Sequence, residues 1–77
     1  MTKVKIYGAG SIGNHLSNAA RSKGWDVTLC DIDSAALERT RNEIYPARYG
    51  AFDEEIELVH CDDAPKGGFD YIFIGTP

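Results

Sequence analysis

Gly8-Ala9-Gly10-Ser11-Ile12-Gly13, entered directly from Lys3-Val4-Lys5-Ile6-Tyr7, is the stretch that decides the fold. An apolar-alternating run that meets a G-x-G-x-x-G loop reads as a strand turning sharply into a helix. Each glycine has a mechanical reason. Gly8 permits the tight turn out of the strand, Gly10 leaves the backbone open to close approach, and Gly13 lets the helix pack tightly on the sheet. The amides of Ser11 and Ile12 then lie at a helix N-terminus, where free N–H groups and the helix dipole favour an anion. Ser11 adds a hydroxyl.

The pattern continues outward from this loop. Ser11 to Lys23 reads as a helix with an apolar stripe of Ile12, Leu16, Ala19 and Ala20. Gly24 stands where a left-handed residue ends helices. Val27 to Cys30 forms the second strand, and Asp31 closes it about 20 residues beyond the loop. A carboxylate there can accept hydrogen bonds from the ribose hydroxyls of a dinucleotide, and Ile32 is placed to flank the adenine ring. Asp31 would also repel a 2′-phosphate. No Arg follows at 32 or 33, and Arg39 and Arg41 lie further down the next helix. The residues therefore favour NAD over NADP as cofactor.

Asp33 or Ser34 can cap that next helix, and for Asp33 the cap is the stronger reading than ribose contact. Leu37, Thr40, Arg41 and Ile44 fall on one side, and Pro46 is expected to stop the helix near Tyr45. Arg48-Tyr49-Gly50 reads as a loop. Ile56, Leu58 and His60 alternate with Glu57, Val59 and Cys61 as a third, edge strand. A short helix capped by Asp53, with Glu54 and Glu55 in its first turn, is the alternative, and the two readings can hold in succession. Asp62 to Gly68 is rich in turn residues and too short for a comfortable crossover helix. Tyr71-Ile72-Phe73-Ile74 is apolar on both faces and reads as a parallel strand covered on both sides. Gly75, Thr76 and Pro77 follow it. If the strand order is 3-2-1-4, they flank the same crevice as the glycine loop and can touch the cofactor.

Composition bounds the rest. The 77 residues make one small domain, 43% hydrophobic and 26% charged, with a net charge of −4. That balance is globular, and without a basic cluster it argues against a nucleic-acid partner. No apolar run approaches a membrane span, and no signal peptide precedes the first strand, so the expected compartment is cytoplasmic. Cys30 and Cys61 show no metal-binding spacing and read as reduced thiols. His15 reads as a surface or packing residue. His60 with Asp62 and Asp63 matches no metal-ligand pattern, and Asp53-Glu54-Glu55 reads as a solvated face or helix start.

The stretch Ile6 to Gly13, with Val27 to Asp33 and Asp70 to Pro77, resembles the N-terminal half of NAD(P)-binding Rossmann domains. Two dehydrogenase groups are similar. One is the glucose–fructose oxidoreductase and inositol 2-dehydrogenase family, whose Thr-Pro after the fourth strand is like Gly75-Thr76-Pro77. The other is the 6-phosphogluconate and nucleotide-sugar dehydrogenases. The resemblance implies an α/β fold with a parallel sheet, β-α-β-α-β-β, in a complete or incomplete three-layer arrangement. It implies a cofactor-holding half, residues 1–77, of a larger enzyme that transfers hydride between nicotinamide and a hydroxyl-bearing substrate. No residue matches a catalytic position. A regulatory module that senses a nucleotide without chemistry is the rival reading, and a methyltransferase half a third. An exposed edge of the fourth strand would favour a homodimer.

Overall fold

Four parallel strands stand in the order β3-β2-β1-β4, with helices filling the first two crossovers. This computed structural model describes residues 1–75. In chain order the elements are β1 (Lys3–Tyr7), α1 (Ser11–Ser22), β2 (Asp26–Asp31), α2 (Ser34–Arg39), α3 (Tyr45–Tyr49), β3 (Glu57–His60) and β4 (Tyr71–Ile74). The register sets Val4 beside Val27 and Tyr71, and Ile6 beside Leu29 and Phe73. Side chains alternate across a strand, so these six share one face. That face is the core, where Val4, Ile6, Val27 and Leu29 are fully buried with Ala20, Ala36, Tyr45 and Ile56. The architecture is the α/β parallel sheet anticipated from the glycine loop, with both helical crossovers packed on this face. Among the described residues no helix is long and apolar enough to cross a membrane.

Helix α1 keeps its predicted length but turns a different face inward. Gly13, Asn14, Ser17 and Ala20 are buried, whereas Ile12 and Ala19 are exposed and Leu16 is half-buried. The expected stripe is therefore displaced. Gly13 draws the helix so close to the sheet that only small residues fit beneath it. The two polar ones are hydrogen-bonded: Ser17 Oγ donates to Asn14 O at 2.8 Å, and Asn14 Nδ2 donates to two loop carbonyls. Gly24, with φ of 78°, closes the helix as its sequence position implied.

Pro46 does not stop the second helical segment. Thr40–Ile44 forms a π-helical turn, and α3 continues from Tyr45 to Tyr49 with Pro46 in its first turn. The Tyr45 N–H reaches back five residues to Thr40 O. The wider turn accommodates a proline that has no N–H to donate and whose ring would crowd a regular α-helix. The inward face accordingly runs Ala36, Thr40, Tyr45, and Arg41 is exposed. Residues 48 and 49 are helical, and Gly50, at φ 86°, ends the segment. Before β3 the chain makes a turn, not a helix: Asp53 Oδ1 accepts the Glu55 N–H at 2.9 Å, and Ile56 N donates to Asp53 O at 3.0 Å.

The third crossover contains only a 3₁₀ turn, Cys61–Asp63, then an irregular path across the second face of the sheet. It covers Lys5, whose Nζ donates to Pro65 O at 2.6 Å. It does not cover β4. Tyr71, Ile72 and Ile74 are more than half exposed, so the strand expected to be covered on both sides is an open edge. Tyr71 finds partial shelter by stacking on Trp25, with ring centroids 5.8 Å apart.

Candidate functional site

The carboxyl ends of β1 and β2 converge on the glycine loop. Gly8 leaves β1 with φ of 99°, a conformation that side-chain-bearing residues rarely adopt, and its N–H donates to Cys30 O at 2.7 Å. A Cβ on Gly13 would stand 1.7 Å from Gly8 O, so the loop and the helix start are in backbone contact. Gly10 is the opposite case, with nothing within 4 Å of where a Cβ would be. It is the N-cap of α1, and no side chain caps this helix. The amides of the first helical turn are those a helix leaves without an internal partner.

Asp31 is joined to the loop directly. Its Oδ2 accepts the Ala9 N–H at 2.8 Å, and its Oδ1 accepts the Asp33 N–H at 2.8 Å. Each carboxylate oxygen can accept again on a second lone pair, so both remain able to take a hydroxyl. Asp33 is the helix cap, its Oδ1 accepting the Ala35 N–H at 2.9 Å. A pocket of about 230 Å³ lies over this junction, lined by Gly8, Ala9, Gly10, Asp31, Asp33, Ala36, Arg39 and Gly75.

Arg39 is a correction to the sequence reading. Although it lies further down α2, its long side chain returns to the pocket and sets Nη2 4.0 Å from Asp33 Oδ2. Gly75 has a packing duty that the sequence did not reveal. A Cβ there would fall 2.8 Å from Gly13 Cα, and its N–H donates to Tyr7 O at 2.7 Å. Ser11 and Ile12 open α1, both exposed. Ile32, 77% exposed, lines a neighbouring apolar hollow of about 300 Å³ with Tyr7, Cys61 and Ile74. Thr76 and Pro77 lie outside the described residues.

Two neighbours complete the surroundings. His60 Nε2 lies 3.0 Å from Ile32 O, and its Nδ1 accepts the Asp62 N–H at 3.1 Å. With Nδ1 accepting, Nε2 is the nitrogen that faces Ile32 O, and the contact pins the end of β3 to the loop after Asp31. Burial pushes the Cys30 thiol up to about 12, and its Sγ donates to Ile6 O at 3.5 Å. His15 is exposed on α1, away from these contacts. A larger groove, about 370 Å³, lies at the opposite end of the strands around Lys3, Asp26 and Phe69. No glycine-loop residue lines it.

A parallel 3-2-1-4 sheet, a glycine loop at the N-terminus of the first helix and an acidic residue ending β2 define an NAD-binding domain of the Rossmann type. The chain belongs to the family described as 3-hydroxyacyl-CoA dehydrogenase, NAD binding domain, whose model matches residues 3–60. That is neither of the two dehydrogenase groups resembled at the sequence level. The NAD-binding glycine loop and the Rossmann-type fold carry over from the resemblance. No curated protein and no solved structure gives a significant match to the chain.

Proposed function

We propose that the chain is the cofactor-holding part of an oxidoreductase that moves hydride between NAD and a hydroxyl-bearing substrate. In this reading the pyrophosphate lies against the open backbone at Gly10, within reach of the amides of Ser11 and Ile12. Gly8 and Gly13 supply the turn and the close helix packing, and Asp31 accepts the ribose hydroxyls. Ile32 flanks the adenine, and Gly75, with Thr76 and Pro77 after it, borders the crevice towards the nicotinamide. The observation that supports this best is the bond from the Ala9 N–H to Asp31 Oδ2. It sets the acidic strand end and the glycine loop side by side on one pocket.

The residues fit the adenosine diphosphate portion of NAD on chemical grounds. Gly10 has open space, the helix start is uncapped, and Asp31 retains acceptor capacity. When bound, the nicotinamide ring supplies the hydride chemistry. The chain's own part is to bind and orient. Asp31 disfavours a 2′-phosphate, so NADH is expected to bind more tightly than NADPH. Calorimetric titration with NADH, NADPH and S-adenosylmethionine tests this. Preference for NADPH would remove the role given to Asp31, and preference for S-adenosylmethionine would replace the oxidoreductase reading with a methyltransferase one.

A further inference from the structure

We infer that Asn14 is the positioning residue of the cofactor loop: its carboxamide turns two consecutive loop peptides so that their N–H groups face the pyrophosphate. This inference rests on the pyrophosphate site proposed above. Asn14 Nδ2 donates to Ala9 O at 3.0 Å and to Gly10 O at 2.8 Å, and the Asn14 backbone N–H also donates to Gly10 O at 2.9 Å.

Peptide geometry turns those bonds into a statement about the other side of the loop. In a planar trans peptide the C=O and the following N–H point in opposite directions. Drawing Ala9 O towards Asn14 therefore directs the Gly10 N–H away from Asn14. Drawing Gly10 O the same way directs the Ser11 N–H away as well. These are consecutive donors beside Gly10, where nothing lies within 4 Å of an added Cβ.

The identity of the residue follows from the same geometry. Two carbonyls need two donors from one short side chain. Asparagine has them, serine has one, and aspartate has none when ionised. Asparagine is also a poor choice for a helix interior on local grounds, and Asn14 is fully buried. Its orientation is fixed, because exchanging the amide O and N would set an oxygen against two carbonyls. Among the described residues Oδ1 has no hydrogen-bond partner, so the group is held entirely by its donating side. Its backbone is braced in turn: Ser17 Oγ donates to Asn14 O at 2.8 Å and is hydrogen-bonded to the Tyr45 hydroxyl.

The test separates loop positioning from general stability by choosing ligands with and without a pyrophosphate. NADH, ADP and adenosine are titrated by NMR into the full chain and into Asn14→Ala and Asn14→Asp. The expected result is a loss of about tenfold or more for NADH and ADP, roughly 1.4 kcal/mol, with adenosine changed less than about twofold. Equal losses for all three ligands, or none for any, would overturn the positioning role. If wild-type chain binds neither NADH nor ADP, the pyrophosphate site itself is wrong and the inference falls with it. If it binds them and the variants bind equally, only the inference falls. Should either variant fail to fold, the wild-type side-chain amide protons give an independent answer. Those of Asn14 should exchange far more slowly than those of exposed Asn42 and shift on adding ADP but not adenosine. Exchange as fast as at Asn42 would refute the clamp.

Discussion

Replacing Gly13 with alanine tests whether the loop–helix contact is as tight as the backbone implies. The added Cβ would lie 1.7 Å from Gly8 O and 2.9 Å from Gly8 C. Ordinary carbon contacts lie near 3.5 Å, so the parts would have to separate by roughly 1.5–2 Å. Both sides of the clash are backbone, so no side chain can rotate away. Overpacking of this kind costs about 1–3 kcal/mol, and rigid backbone places it at the upper end. Alanine returns about 1 kcal/mol of helix propensity, leaving a net loss of about 2 kcal/mol. For a chain of this size that is a fall of about 8–16 °C in Tm. Gly10→Ala is the control. Its φ of −91° suits alanine and nothing lies within 4 Å of the new Cβ, so stability should stay within about 0.5 kcal/mol. Its methyl group would nevertheless stand where the pyrophosphate approaches, so NADH binding should weaken. Thermal unfolding and NADH titration of both variants distinguish the roles. An unchanged Tm in Gly13→Ala, or an equal fall in both variants, would refute the division of labour between the two glycines.

Three further expectations follow from named contacts. Asp31→Asn turns one acceptor into a donor facing either the Ala9 or the Asp33 N–H, which should cost about 1–3 kcal/mol. It should also weaken NADH far more than NADPH, since the repelling charge is gone while Arg39 remains at the rim. Equal factors for both ligands would show that Asp31 does not select the cofactor. Asp53 is pushed up by burial, but hydrogen bonds from Arg21 and the Glu55 N–H outweigh this and hold it below its ordinary value of 3.8. A lowered carboxylate stabilises the fold fully above its unfolded pKa and loses that contribution as pH falls through the folded value. The pair is partly exposed, at 22% and 35%, so the loss should be about 1 kcal/mol or less. It should appear in urea midpoints below about pH 4 and be flattened by Arg21→Met; an identical acid profile in that variant would exclude the pair as its cause. With Cys30 buried and raised to about 12, iodoacetamide at about pH 8 should modify Cys61 alone in native protein and both cysteines after unfolding. Labelling of Cys30 first, read by peptide mass, would contradict its burial.

What could be read from the chain and what could not divides on a physical line. Gly8, Gly10, Gly13, Gly24 and Asp31 encode local demands: a turn, an open backbone, a close approach, a helix end, a charge at a strand terminus. Each belongs to a few neighbouring residues and survives without knowledge of the rest, so the strand order and the loop were legible. Two of the misreadings concern which side of a helix faces the sheet. Of the expected stripe of Ile12, Leu16, Ala19 and Ala20, Ala20 is buried and Leu16 packs at the core's edge, but Ile12 and Ala19 face outward and Asn14 and Ser17 lie underneath in their place, where Gly13 brings the helix start into backbone contact with the loop. In the second segment a four-residue step from Thr40 selects Ile44, whereas the π turn takes five and selects Tyr45. Arg39 was misplaced for a related reason, since a long side chain can return to a pocket that its Cα has left. Asn14 offered no signal at all, because its partners are carbonyls whose direction exists only in the folded loop.

The crossover between β3 and β4 shows the converse, a sequence oddity that the structure explains. Lys5 occupies the middle of β1 and is only 2% exposed, a position where an amine needs an acceptor. A packed helix could offer few, because its carbonyls are engaged in their own ladder. An irregular strap leaves carbonyls free, and Pro65 O meets Lys5 Nζ at 2.6 Å while the Tyr7 and Phe69 rings lie 4.7 Å and 5.6 Å from it. The lysine and the missing helix are therefore one feature seen from two sides. A strap that narrow shields Lys5 but cannot span the sheet, which leaves Ile72 and Ile74 exposed on the same face. The glycine loop is spared this consequence because its packing partner, α1, lies on the other face. The site can thus keep its geometry in a domain whose second face is only partly covered.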